Sequence, residues 1–182
     1  MNTSPTRLLD EYLVLSAAAG QRPALDQLAR RWHTRLEAHA FRLTGERELA
    51  RDAAQIGWNA IIRGLHRLED PRAFPAWAYR IVSRACAGEI GSAMARRRLA
   101  QAVASEPAPA SIDPVEPSQL GRLKQAIRLL PPGERAAIAL YHLEELSVAE
   151  VAVALAVPAG TVKTRLMNAR RKLRTYLEGE TP

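Results

Sequence analysis

Lys163, Thr164, Asn168 and Arg171 recur at helical spacing near the end of this chain, with Arg165, Arg170, Lys172 and Arg174 along the borders of the same face. Side chains of these types reach the donors and acceptors on base edges, and a DNA major groove admits one α-helix. The opposite stripe, Val162, Leu166, Ala169 and Leu173, is apolar and suits a helix laid on a core. Such a helix needs a neighbour to hold it against a duplex. Just upstream, Ser147 and Glu150 have the S-x-x-E spacing of a capping box, and Val148, Val151, Ala152 and Leu155 give a short helix one apolar face. Pro158 and Gly160 interrupt the pattern, so a second helix is expected to begin near Thr161. Two short amphipathic helices joined by a brief break describe a helix-turn-helix. The plainer alternative is a solvated basic helix in a bundle.

Charge agrees with a polyanionic partner without proving one. The chain of 182 residues has 26 Lys and Arg against 19 Asp and Glu, a net charge of +7. Residues 1–98 carry +6, residues 119–182 carry +4, and residues 99–118 carry no base and −3. That middle stretch, LAQAVASEPAPASIDPVEPS, holds four prolines, which remove backbone donors and restrict the residues before them. It reads as a linker between two small domains, 1–98 and 119–182, that move independently until bound.

The first domain reads as helices throughout. Leu8, Leu9, Tyr12, Leu13 and Leu15 suggest one. A second runs from about Pro23 to Leu43, with Leu25, Leu28, Trp32, Leu36 and Phe41 near one face, and ends at Thr44-Gly45. A third is expected over Glu46–Arg67. A fourth begins near Arg72, after the Asp70-Pro71 turn, and carries Phe74, Trp77, Ile81 and Ile90. The second domain adds a helix over Gln119–Leu130 and another from Pro131-Pro132 through Tyr141 and Leu143. No strand alternation occurs, so the fold class is all-α.

Catalytic and metal chemistry find little support. His33, His39, His66 and His142 are scattered and, with Cys86 as the lone cysteine, match no zinc spacing. No glycine-rich phosphate loop or G-x-S-x-G elbow is present. Glu144-Glu145 reads as solvated surface. No cofactor is expected, and the chain is not expected to be an enzyme. The single cysteine fits a reducing compartment, and no apolar run approaches the ~20 residues of a membrane span, so a cytoplasmic location is expected.

The segment from Leu129 to Arg174, LLPPGERAAIALYHLEELSVAEVAVALAVPAGTVKTRLMNARRKLR, resembles the promoter −35-reading domain of extracytoplasmic-function (ECF) sigma factors, members of the sigma-70 family. RLTGERELARDAAQ from Arg42 to Gln55 resembles that family's polymerase-docking helix, and Phe74–Ile81 (FPAWAYRI) the start of its −10-reading helix. The resemblance implies two helical domains, a sigma-2-like bundle and a sigma-4-like helix-turn-helix, on a tether. It implies binding to core RNA polymerase through clamp and flap, reading of duplex −35 and melted −10 DNA, and an anti-sigma factor or other regulatory partner. Carried onto this sequence, the −35 face is Thr161, Lys163, Thr164, Arg165, Asn168, Arg171 and Arg174. The −10 face is Arg72, Trp77, Arg80 and Arg84, and the polymerase contact is Asp52, Gln55 and Ile56. The chain departs from the family where members read D-L-V-Q-E: here Asp52-Ala53-Ala54-Gln55-Ile56 stands, with Ile56 at the acidic position. Arg84 and Gly88 replace an Asn and an acid, and Gly91 falls where a base is common. Ile56 has two readings, interface or bundle core; Trp58 is core or interface, and Trp77 core or base-stacking. Two other functions compete with the sigma factor: a sigma-like decoy that captures an anti-sigma factor, and a DNA-binding regulator whose N-terminal helices dimerise.

Overall fold

The amphipathic helical segments of this alanine- and leucine-rich chain leave few ways to bury an apolar stripe except helix against helix. The computed structural model describes residues 5–101 and 119–178, and all regular structure among them is helical. The N-terminal half contains α1 (Pro5–Ala18), α2 (Arg22–Thr44), α3 (Arg47–Gly64) and α4 (Phe74–Gln101), with 3-10 turns at Leu65–Arg67 and Pro71–Ala73. The C-terminal half contains α5 (Gln119–Leu129), α6 (Pro132–His142), α7 (Val148–Leu155) and α8 (Ala159–Glu178). Helix α4 runs past the expected end at residue 98 as far as Gln101, and it begins at Phe74 because Arg72 lies in the 3-10 turn.

Helix α2 is the centre of the N-terminal half. Leu28, Trp32, Leu36, His39 and Ala40 are buried along it. The Trp32 ring meets Phe74 edge-on at 5.1 Å and Tyr79 at 5.8 Å, joining α2 to α4. The helix stops as its sequence indicates: Gly45 adopts φ 75 and its N–H bonds to the Phe41 carbonyl. Phe41, expected on the core face, is exposed, and His39 and Ala40 take that side instead. In α1 the core is filled by Leu13 and Val14, while Leu8, Leu9, Tyr12 and Leu15 face outward. The buried Asp10 of α1 is neutralised by Arg31 at 2.8 Å. Helix α3 lies on α4 at Gly57, where an added Cβ would stand 2.7 Å from Val82 Cγ2.

In the C-terminal half the expected capping box forms. Glu150 N–H donates to Ser147 Oγ at 3.2 Å, and Ser147 N–H donates to Glu150 Oε2 at 2.7 Å. The turn between α7 and α8 differs from the expected Pro158–Gly160 break. Ala156 makes it, at φ 53 and ψ 44, and α8 starts at Ala159 with Gly160 already in its first turn. Val157 N–H bonds to the Ala152 carbonyl at 3.1 Å, satisfying the end of α7 and offsetting a left-handed alanine.

The two halves do not lie apart. Helix α2 packs on α6 and α4 packs on α7, and their buried apolar residues form one continuous core. The sequence of α7, VAEVAVAL, is the physical reason: the helix is apolar nearly all round and has a second side to bury once α8 covers the first. Glu144, expected in water, has a side chain only 8% exposed and pairs with Arg35 of α2.

Two measurements check this packing. Gly57→Ala should cost about 1–3 kcal/mol by driving a methyl into buried Val82. Gly88→Ala, whose Cβ meets nothing within 4 Å, should stabilise by up to about 1 kcal/mol. Urea titration of both variants reads the signs. His39, fully buried with Nε2 2.9 Å from Ser83 Oγ, has its pKa lowered from 6.5 to about 3 by burial and then by Arg42. The unfolded chain therefore takes up a proton that the folded chain refuses, and His39's contribution to stability is lost as pH falls from 6.5 toward about 3. The slope from this residue is about 1.4 kcal/mol per pH unit, and urea midpoints of His39→Gln should show it reduced.

Candidate nucleic-acid and polymerase interfaces

Helix α8 is held by its apolar stripe and by its border cations. Val162, Leu166 and Ala169 are buried, at positions i, i+4 and i+7. Lys172 donates to both carboxylate oxygens of Glu134 on α6, at 2.9 and 3.0 Å. Arg170 lies over the Tyr141 ring at 5.6 Å and meets His142 Nε2 at 3.3 Å. Arg165 is half-buried, its guanidinium carbon 3.0 Å from where a Cβ on Gly133 would stand, so Gly133 makes room for it at the start of α6. These three cations orient the helix. What remains outward is Lys163, Thr164, Arg171 and Arg174, all exposed, with Thr161 and Asn168 half-buried at the edge. Arg171 Nη2 makes a long contact to Asn168 Oδ1 at 3.5 Å, so the two side chains act as one polar unit. Met167, overlooked in the sequence because it is apolar, is 60% exposed among them. An exposed methionine there offers apolar contact to a thymine methyl, and its i+3 and i+4 spacing from Thr164 and Lys163 was the available signal.

Helix α4 presents Arg80 and Arg84, exposed and one turn apart, with Trp77 one turn earlier. Trp77 is half-buried, packed against the core beside Phe74 at 6.1 Å and against Gly64. Its ring is thus held at a core edge with part of it in solvent. Arg72 sits apart from them, tied to Asp70, whose Oδ1 accepts from Arg72 Nε at 3.0 Å and whose Oδ2 accepts from Nη2 at 3.2 Å. These hydrogen bonds hold the Asp70 carboxyl below its ordinary range.

Helix α3 turns Ala53, Ala54, Gly57, Trp58 and Ile61 inward. Asp52, Gln55 and Ile56 lie together on the outer face, with Ile56 45% exposed. Ile56 is therefore not a core residue, and Trp58 is one. Ile62, missed in the sequence, is exposed farther along α3.

Two family models match the chain. Sigma-70 region 2 matches residues 28–98, which hold most of α2 with α3 and α4, and Sigma-70, region 4 matches residues 120–173, which hold the helix-turn-helix. The ECF RNA polymerase sigma factor SigM of Mycobacterium tuberculosis is 31% identical over 168 residues, covering 92% of this chain and 84% of SigM. The chain belongs to the ECF RNA polymerase sigma factors. SigE of Mycolicibacterium smegmatis is 32% identical over 167 residues, but this chain spans only 62% of SigE. Among solved structures, CnrH in complex with the cytosolic domain of CnrY aligns with a TM-score of 0.64 at 24% identity, covering 95% of this chain and 99% of that one. RpoE in complex with the anti-sigma factor NepR, from Bartonella quintana, aligns with a TM-score of 0.67 at 20% identity, covering 86% and 98%. Both share the fold of this sigma factor. No helix among the described residues is long and apolar enough to cross a membrane.

The geometry of α8 separates two kinds of contact. Asn168→Ala and Arg171→Ala should each cost about 1–3 kcal/mol on a cognate −35 duplex and relax specificity. Because the two side chains touch, the double variant should lose less than the sum. Arg174→Ala should weaken all duplexes alike and lower the salt dependence. Fluorescence anisotropy on cognate and scrambled duplexes over a salt series reads all three; equal losses on both duplexes for Asn168→Ala would contradict the orientation.

Proposed function

We propose that this sigma factor docks on the clamp of core RNA polymerase through Asp52, Gln55 and Ile56 and carries promoter specificity on two other helices. In this reading α4 meets the melted −10 strand with Arg80 and Arg84. Trp77 offers its exposed edge for base stacking, and Arg72 joins after leaving Asp70. Lys163, Thr164, Asn168 and Arg171 of α8 read the −35 duplex, with Thr161 and Arg174 on flanking phosphates and Arg165 as the support of the helix. Residues 1–98 and 119–182 act as two domains, and 99–118 is the tether between them. The protein works by placing polymerase, without chemistry of its own, in the cytoplasm where polymerase acts. RpoE, which shares this fold and is solved in complex with the anti-sigma factor NepR, supports an anti-sigma partner for this chain as well.

The single observation that carries the docking role is the exposure of Ile56 beside Asp52 and Gln55 on a helix whose other side is fully packed. A decoy or a dimerising regulator gives no reason for that face to coexist with the outward base-reading face of α8. The experiment pairs two variants. Asp52→Arg should reduce affinity for core polymerase by about tenfold or more with the fold intact, as charge reversal at an interface does. Ile56→Glu should melt within about 0.5 kcal/mol of wild type, as exposed substitutions do, and should bind polymerase at least as well. Wild-type affinity in Asp52→Arg would refute the docking face, and a large fall in melting temperature for Ile56→Glu would return that residue to the core.

A further inference from the structure

We propose that the cleft where α2, α3 and α5 meet is a binding site for a free guanine nucleotide carrying more than one phosphate. None of the residues assigned to promoter or polymerase lines it, and the inference does not depend on those assignments.

The cleft has a volume of about 320 Å³, in the range of small-molecule sites. Thr34, Glu37 and Phe41 of α2 form one wall, Arg47 and Arg51 of α3 a second, and Arg128 of α5 a third. Phe41 is 38% exposed, and its backbone is fixed because its carbonyl accepts the Gly45 N–H that ends α2. Glu37 stands 3.6 Å from Arg51 Nε through one oxygen and 3.5 Å from His33 Nε2 through the other. The Arg51 side chain is 73% exposed. Arg128 is held at the cleft from the C-terminal half. Arg135 Nη1 donates to the Arg128 carbonyl at 2.9 Å, while its Nε donates to the Arg42 carbonyl at 2.9 Å.

The electrostatics of this corner call for an anion. Arg47, Arg51 and Arg128 line the cleft with Glu37 as the acid among them. Arg42 and Arg135 stand behind it. Arg42 Nη1 is buried without a hydrogen-bond partner, and Arg135 donates to carbonyls, which carry no full charge. Burial, and next the charge of Arg42, lower the Arg135 pKa. Guanidinium groups gathered in this way repel one another, and a concave surface concentrates their field. A ligand with several negative charges relieves that repulsion, and the planar fork of arginine matches pairs of phosphate oxygens.

Phosphate alone leaves Phe41 and Glu37 without a role. An exposed ring beside cations suits a stacked base. A carboxylate only accepts hydrogen bonds. Guanine offers it a ring N–H and an amino group side by side, whereas adenine offers an amino group alone. Glu37 is therefore the selecting group, and its long contact to Arg51 is weak enough to be exchanged for the base. A nucleic-acid strand fits less well, because a strand is tracked by an open, extended groove and these cations converge from separate helices on one small cleft.

The test is calorimetric titration of the full chain with GDP, ADP and sodium pyrophosphate, without polymerase or DNA. GDP should saturate a single site in the micromolar range, about tenfold more tightly than ADP or pyrophosphate. Phe41→Ala and Arg51→Ala change exposed side chains, so both should melt as wild type does, and each should weaken GDP by about tenfold. Phe41→Ala should leave pyrophosphate binding unchanged. Glu37→Gln should remove the preference for GDP over ADP and keep pyrophosphate binding. Absence of saturable GDP binding by the wild-type chain overturns the proposal. Pyrophosphate bound as tightly as GDP overturns the nucleotide assignment, and full GDP affinity in both Phe41→Ala and Arg51→Ala overturns the location. Single-stranded and duplex DNA titrated into the same proteins read the other source of phosphate. DNA binding lost in Arg51→Ala, with no GDP binding by wild type, would give the cleft to a nucleic-acid backbone instead.

Discussion

The contact on which the rest of this molecule depends is the packing of α2 against α4 around Trp32. Its ring is wedged edge-on to Phe74 and Tyr79, all three fully buried. Removing an aromatic of this size from a core costs about 3–5 kcal/mol, a large part of the 5–15 kcal/mol that a domain has in total. The wedge sets the angle of α4 and so the direction in which Arg80 and Arg84 leave it. The same indole gives Arg35 a face to lie on, one turn along α2, and Arg35 reaches the other half of the chain. One side chain thus connects the core of the N-terminal half, the helix proposed to meet melted DNA and the seam to the helix-turn-helix.

Net positive charge does not by itself say which cations face solvent, because the cations divide into two populations. Arg31, Arg35, Arg135 and Lys172 are half-buried and satisfy carboxylates or carbonyls within the protein. Lys163, Arg171 and Arg174 on α8, and Arg80 and Arg84 on α4, are exposed on two helices whose opposite faces are packed. Burial fixes the first group and leaves the second facing solvent. The acidic residues divide likewise: Asp10, Glu134 and Glu144 hold helices together, whereas Asp52 lies exposed on α3.

Much of the fold was legible in the sequence where a feature is local. The Ser147–Glu150 box, the Thr44-Gly45 stop and the Val162–Leu166–Ala169 stripe are each set within one or two turns, and each forms. The candidate face on α8 was legible for the same reason, since helical periodicity places Lys163 with Arg171, whereas Asp52, Gln55 and Ile56 on α3 were picked out by the family resemblance alone. What was not legible depends on distant partners or on rare backbone. Nothing near Glu144 announces an arginine 109 positions away. Leu8, Tyr12 and Leu15 look like a core face, but the neighbours of α1 accept Leu13 and Val14 instead. A left-handed Ala156 carries no residue signal, so the sequence points to Pro158 and Gly160 instead. Arg165 and Lys172 read as base-contacting or border cations until α6 is seen to offer them Gly133 and Glu134.

Sigma factors select promoters for core polymerase, and in this chain the outward-facing helices α4 and α8 are proposed to do so. The most direct measurement is transcription in vitro from fragmented genomic DNA of the source organism, with core polymerase and the purified full chain, followed by sequencing of transcript 5′ ends. New start sites are expected, absent with core polymerase alone, that share one duplex motif at the −35 position. Start sites identical to those of core polymerase alone would contradict the proposal.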